Sequence, residues 1–166
     1  MGFKLPKAEE CVWLSLRFSM AWTFLWAFLD KVFGLGFATA SDKSWLLGNS
    51  PTAGFLGFAT KGPFASIFKS LAGNVFVDWL FMIGLLAIGV SLFLGIGMKI
   101  AGYSGALLLF LMWLAVLPPE HNPFLDDHII NGIILIGLTK VKHGRSYSLL
   151  NWWKKQKIVK KYKILE

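Results

Sequence analysis

The sequence predicts an all-α membrane protein: a four-transmembrane-helix antiparallel bundle with an outer amphipathic helix in its first loop. Three observations predict it. Apolar residues fill 55% of the 166 positions, and they gather in four long blocks. A bilayer core about 30 Å thick needs roughly 20 apolar residues of helix to cross it, and the blocks approach that length. The second and third blocks also carry almost no polar face at helical period, which a helix of a soluble bundle would need.

The first block, about 11–36, reads CVWLSLRFSMAWTFLWAFLDKVFGLG. Ala38-Thr39-Ala40 follows it with the small-residue pattern of a signal-cleavage site. The run is too long for a signal and carries Arg17, Asp30 and Lys31, so it reads as an uncleaved span. In the connector that follows, residues 63–73 start with Pro63 and end with Gly73, a helix start and stop. Phe64, Ile67, Phe68 and Leu71 share one face there, which predicts an amphipathic helix on the membrane or over the outer mouth of the bundle. The second block, about 75–97, and the third, about 100–117, contain the small-xxx-small pairs Ser91/Gly95 and Ala101/Gly105, suited to close helix packing. The fourth, about 127–141, is short for a span unless Phe124 and Leu125 extend it.

Charge sets the orientation. The formal net charge is +8. Lys4, Lys7, Lys99 and the basic tail 142–166, with Lys142, Arg145, Lys154, Lys155, Lys157, Lys160, Lys161 and Lys163, fall on one side of an alternating bundle. The connector between the third and fourth blocks holds Glu120, Asp126 and Asp127 and no Lys or Arg. The positive-inside rule then places both termini in the cytoplasm of a multi-pass cell-membrane protein, with Lys43, Lys61 and Lys69 tolerated in the long outer loop. Tail residues Trp152 and Trp153 beside lysines suit the headgroup layer, so the tail predicts lipid anchoring and not nucleic-acid binding. Cys11 stands alone and excludes an internal disulfide framework.

The ionisable residues in or beside the apolar blocks carry the functional question. Arg17 lies within the first block, where an arginine either snorkels or bonds structurally, or else receives an anionic or quinone-like ligand. Asp30 and Lys31 near the end of that block, and Asp78 with Trp79 at the start of the second, reach the level of Glu120, His121, Asp126, Asp127 and His128. A structural account has an aspartate capping the last helix and Lys31 pairing with a carboxylate. A metal site has suitable ligand types, but the spacing fits no metal motif and none is assigned. Haem lacks a mid-membrane histidine, and Gly95-Ile96-Gly97 lacks the third glycine of a nucleotide loop; no flavin motif is present either. No serine or cysteine nucleophile signal accompanies the histidines. Solute transport lacks a polar path through the second and third blocks.

A proton-coupled redox site is compatible with the residue types. Reduction of a quinone takes up protons, and histidine titrates in the working range. Asp127, His128 and His121 are the candidate proton donors and acceptors. Arg17, Asp30, Lys31, Asp78, Trp79 and Trp113 are candidates for a quinone or anion pocket.

Several stretches resemble the DoxX family. They are Trp26-Ala27-Phe28-Leu29-Asp30-Lys31-Val32-Phe33-Gly34, Ser50-Pro51-Thr52-Ala53-Gly54-Phe55-Leu56, Asp78-Trp79-Leu80-Phe81, and 112–120 followed by Asn122-Pro123-Phe124-Leu125-Asp126-Asp127-His128. The resemblance runs from the first block through the fourth and leaves the tail outside. It implies a small four-helix membrane protein of the kind that includes the membrane subunit of a thiosulfate:quinone oxidoreductase. Quinone is then the expected cofactor, and membrane lipid and a partner protein subunit are the expected partners; a homo-oligomer is compatible. The rival expectation is a non-catalytic interaction or structural subunit that docks a partner through its outer polar face.

Overall fold

The computed structural model describes residues 7–141 and 147–165; Lys4, Lys142 and Arg145 lie outside them. Among the described residues the regular structure is helical throughout, without strand. The α-helices are α1 (Ala8–Phe33), α2 (Ala65–Ser70), α3 (Val75–Leu94), α4 (Met98–Ala115), α5 (Asp127–Lys140), α6 (Leu150–Trp153) and α7 (Lys157–Lys161). Three of them, α1, α3 and α4, are long and apolar enough to cross a membrane. Helix α5 has 14 residues.

Local chemistry sets the ends of these helices. The Lys7 backbone N–H donates to the Glu10 carboxylate at 3.2 Å, which satisfies an orphan donor at the start of α1. Gly34 ends α1 at φ 65°, a left-handed cap that only glycine adopts without strain. Asn74 caps α3 by accepting from the Phe76 and Val77 N–H groups at 2.9 and 3.3 Å. Gly95 (φ 67°) and Gly97 (φ 57°) then make the tight turn by which α4 folds back beside α3.

Packing joins α1 to α3, α3 to α4, α4 to α5, and α5 back to α1. The shared core includes Met20, Phe24, Met82, Leu85, Leu92, Met98, Leu135 and Leu138. Large apolar side chains also face outward, among them Trp22, Ile83, Phe93, Leu107 and Ile133. Helices apolar both inward and outward suit a lipid surround, not water.

The helices have two distinct ends. At the loop end lie the C-termini of α1 and α4, the N-termini of α3 and α5, and the long first connector. At the tail end lie the start of α1, the α3–α4 turn and residues 147–165. The amphipathic segment expected in the first connector differs in extent: only Ala65–Ser70 is α-helical, with turns on both sides. A segment this short forms few intrahelical bonds, so the flanks close as single turns. Its Phe64, Ile67 and Leu71 side chains are exposed.

Candidate functional site

Three separate polar arrangements occupy the loop end. The first is built on Asp30, one turn before the end of α1 and only 1% exposed. Its carboxylate accepts the N–H of Phe37 at 3.2 Å and of Ala38 at 3.0 Å, fastening the chain that leaves the helix. A carboxylate near a helix C-terminus opposes the dipole, and the two N–H donors offset that cost. Lys31 beside it is half-buried and takes part in none of the ion pairs among the described residues.

The second is built on Asp78 in the first turn of α3, 6% exposed, where the helix dipole favours an acid. The hydroxyls of Ser50 and Thr52 donate to its Oδ1 at 2.8 and 2.5 Å. Ser50 Oγ in turn accepts the Ala53 N–H at 3.0 Å. Asp78 thus fastens the middle of the first connector to α3. Trp79 packs edge-on against Trp45, ring centroids 4.8 Å apart, and stays half-exposed.

The third arrangement is an open cavity of about 770 Å³ between the first connector and the α4–α5 connector. It is lined by the ionisable side chains of Lys61, Glu120, His121, Asp126, Asp127 and His128 and by apolar ones that include Val116, Leu125 and Ile130. Asn122 shapes the approach to α5 by accepting the N–H groups of Phe124 and Leu125 at 2.9 and 3.0 Å. Asp126 is the N-cap of α5; its Oδ1 accepts the His128 and Ile129 N–H groups at 3.0 and 3.3 Å. Its other oxygen meets His128 Nδ1 at 2.7 Å. An ionised carboxylate only accepts, so with Asp126 ionised Nδ1 is the donor in this bond and Nε2 takes no part in it. Lys61 reaches the cavity because its backbone N–H donates to the Ala115 carbonyl at 3.0 Å, and Gly62 lies hard against the Leu117 carbonyl.

The structure therefore brings Asp127, His128 and His121 to one cavity. It does not bring Asp30, Lys31, Asp78, Trp79 or Trp113 to its walls. Trp113 instead donates its indole N–H to the Phe124 carbonyl at 3.1 Å and stacks on Phe110, holding the α4–α5 connector. Arg17 lies at the tail end, where its guanidinium donates to the Tyr147 carbonyl at 3.0 Å. Among the described residues no group of three or more His, Cys, Asp or Glu is placed to hold a metal ion.

Lys61 was not singled out as a site residue by the sequence. Its only signal there is the Gly62-Pro63 turn that follows, which does not say which carbonyl the turn meets. The role of Asp126 was half visible: the cap was expected, the imidazole contact was not.

An all-helical chain with three helices fit to cross a bilayer, and a mixed-charge cavity where its loops meet, is a membrane protein with a polar site at one end of its helices. No protein-family model matches the chain, and no curated protein or solved structure is found to be similar to it.

Proposed function

We propose that this chain is the four-helix membrane subunit of a quinone-linked redox complex, with the loop-end cavity as its quinone headgroup site. In this reading α5 completes an antiparallel bundle with α1, α3 and α4, both termini lie in the cytoplasm, and the cavity opens on the outer side. Helix α5 is about 21 Å long at 1.5 Å per residue, so the bilayer thins locally or the 124–126 segment extends its reach.

The observation that carries the reading is the Asp126–His128 pair, 2.7 Å apart, in the lining of a cavity that holds both ionisable and apolar side chains. Its size lies within the range of small-molecule sites. Reduction of a quinone adds two electrons and two protons to its two carbonyl oxygens. The electrons come from a reductant on a partner subunit, thiosulfate by the resemblance to the DoxX family. The protons are what this chain supplies. Asp126 orients the imidazole through Nδ1, so that Nε2 is the nitrogen that delivers a proton to an oxygen bound in the cavity. His121 and Asp127, both exposed and both lining the cavity, relay protons from water. Lys61 provides positive charge where negative charge develops.

The test uses the purified full chain in proteoliposomes with decylubiquinone, and the partner fraction for turnover with thiosulfate. Quinone reduction falls about 100-fold or more in His128→Ala and in Asp126→Asn, as expected on losing a positioned acid–base group. Full activity in both variants refutes the site, and absence of decylubiquinone binding refutes the function.

One observation favours the rival reading of a docking subunit. Asp30 and Asp78 spend their carboxylates on internal N–H and hydroxyl groups, while Phe37, Phe58 and Phe124 at the loop end are 75%, 92% and 74% exposed. Under that reading His121→Ala and His128→Ala weaken assembly with a partner and leave redox turnover per assembled complex unchanged.

A further inference from the structure

At the tail end, residues 147–165 fold back against the helices. Arg17, fully buried on α1, donates to the Tyr147 carbonyl, and the Leu149 N–H donates to the Leu94 carbonyl at 2.9 Å. Val159 is completely buried, and the Trp153 indole N–H donates to the Leu165 carbonyl at 2.6 Å, closing the segment on itself. Gly95 shows how close the fit is: a Cβ there would collide with the Ser148 side chain and lie 3.0 Å from Arg17 Nη1. The segment is thereby fixed at the α3–α4 turn, the level at which two apolar helices end.

Its outer surface has an unusual composition. Lys154, Lys155, Lys157, Lys160, Lys161 and Lys163 are all exposed, and no Asp or Glu occurs between residues 147 and 165. Between these lysines, Trp152, Ile158, Tyr162 and Ile164 are 55%, 58%, 51% and 62% exposed. A water-facing basic surface has no use for four large apolar side chains, and a protein core does not accept six lysines. The headgroup layer of an anionic leaflet accepts both, because aromatic and aliphatic groups enter the interface while ammonium groups meet phosphate.

We propose that this folded segment is a binding platform for anionic phospholipid headgroups, held at headgroup depth by Arg17 and the α3–α4 turn. This goes beyond the loop-end reading and does not depend on quinone chemistry. A preorganised platform differs from a loose basic tether in that its backbone needs no ordering when lipid binds. Each lysine near an anionic leaflet strengthens the hold about fivefold, so removing several abolishes selectivity.

The test measures lipid retained by the full chain from micelles of equimolar phosphatidylglycerol and phosphatidylcholine, separated by size exclusion and quantified per protein. Phosphatidylglycerol is enriched at least fivefold at low salt and approaches parity in 0.5 M NaCl (about a 4 Å screening length). A variant with the six lysines changed to Gln loses the enrichment, and one with the six changed to Arg keeps it. All six side chains are exposed, and an unchanged helical circular-dichroism spectrum verifies that both variants fold. Equal retention of the two lipids by the native chain overturns the proposal. So does enrichment that survives in the Gln variant, or a Gln variant that keeps its lipid preference and loses an acidic protein partner instead.

Discussion

Replacing Gly102 with alanine tests whether α5 packs into the helical core as closely as the structure has it. A Cβ at this position would lie 2.9 Å from the Leu135 carbonyl oxygen and collide with the Thr139 side chain. Ordinary contact begins near 3.4 Å, so α4 and α5 must part by about 0.5 Å along an interface that includes the fully buried Leu135 and Leu138. Backbone cannot swing aside as a side-chain tip does. Overpacking of this kind costs about 1–3 kcal/mol, and the helix gains back about 0.5–1 kcal/mol from losing a glycine. The net loss expected is about 0–2.5 kcal/mol, against a gain of about 0.5–1 kcal/mol where the added methyl meets no obstacle. Gly132 on α5 is the matched control, because its Cβ would meet Ala106 backbone atoms only at 3.9 and 4.0 Å. Gly132→Ala should therefore be neutral or stabilising. Gly105→Ala should fall between them, since its near neighbours are the ends of the Leu135, Ile88 and Phe24 side chains. Titration with SDS in mixed micelles, followed by tryptophan fluorescence and far-ultraviolet circular dichroism, ranks the three. Gly102→Ala matching Gly132→Ala in stability would refute the α4–α5 packing.

Asp78→Ala removes the acceptor of the Ser50 and Thr52 hydroxyls inside the fold and should cost about 2–4 kcal/mol in the same titration, with Asp78→Asn recovering part of it. Asp30→Ala frees the Phe37 and Ala38 N–H groups and should cost about 1–3 kcal/mol, with faster proteolysis of the 34–40 segment than of the rest of the chain. Asp126→Ala loses the N-cap of α5 and should cost about 1 kcal/mol, whereas Asp126→Asn keeps the cap and leaves stability near native while quinone reduction drops. An Asp126→Asn protein as active as the native chain would remove the carboxylate from the proton path.

The long helices were legible because hydropathy and helix spacing report the same burial, but their ends were not. The block at 11–36 is helix from Ala8 to Phe33, since the Lys7–Glu10 contact starts it among polar residues and Gly34 stops it inside the apolar run. The block at 75–97 stops at Leu94 for a like reason: Gly95 is left-handed. The small-residue pairs pointed to Gly105 but not to Gly102 or Gly89. At Gly89 a Cβ would lie 2.7 Å from the Leu25 side chain, and at Gly102 the obstacle is a carbonyl of α5. Which face of a uniformly apolar helix turns inward is decided by its neighbours, and the spacing of small residues does not carry that. The acids were harder still. Asp30, Asp78 and Asp126 look alike in sequence as charges beside apolar blocks. Their partners are loop N–H groups, two hydroxyls and an imidazole, and only folding brings these near.

Those partners separate the acids by what each can still do. Asp30 and Asp78 are closed to solvent, and each already accepts two hydrogen bonds from its own chain, so a ligand reaching either would have to displace the connector it holds. Their exposures of 1% and 6% leave no approach. Asp126 also accepts two N–H groups, but through one oxygen, and the other oxygen faces an imidazole on an open wall. A group that moves protons must be held firmly at one atom and left exchangeable at another. Of the candidate histidines, only His128 is held in this way, with Nδ1 fixed by Asp126 and the ring a quarter exposed to the cavity. The two buried carboxylates serve the same site indirectly, by fixing the first connector whose far end carries Lys61 to the cavity wall. In the proposed redox reading, chemistry at the loop end rests on one short segment of the α5 entry, and the buried acids of α1 and α3 contribute by keeping the first connector in place.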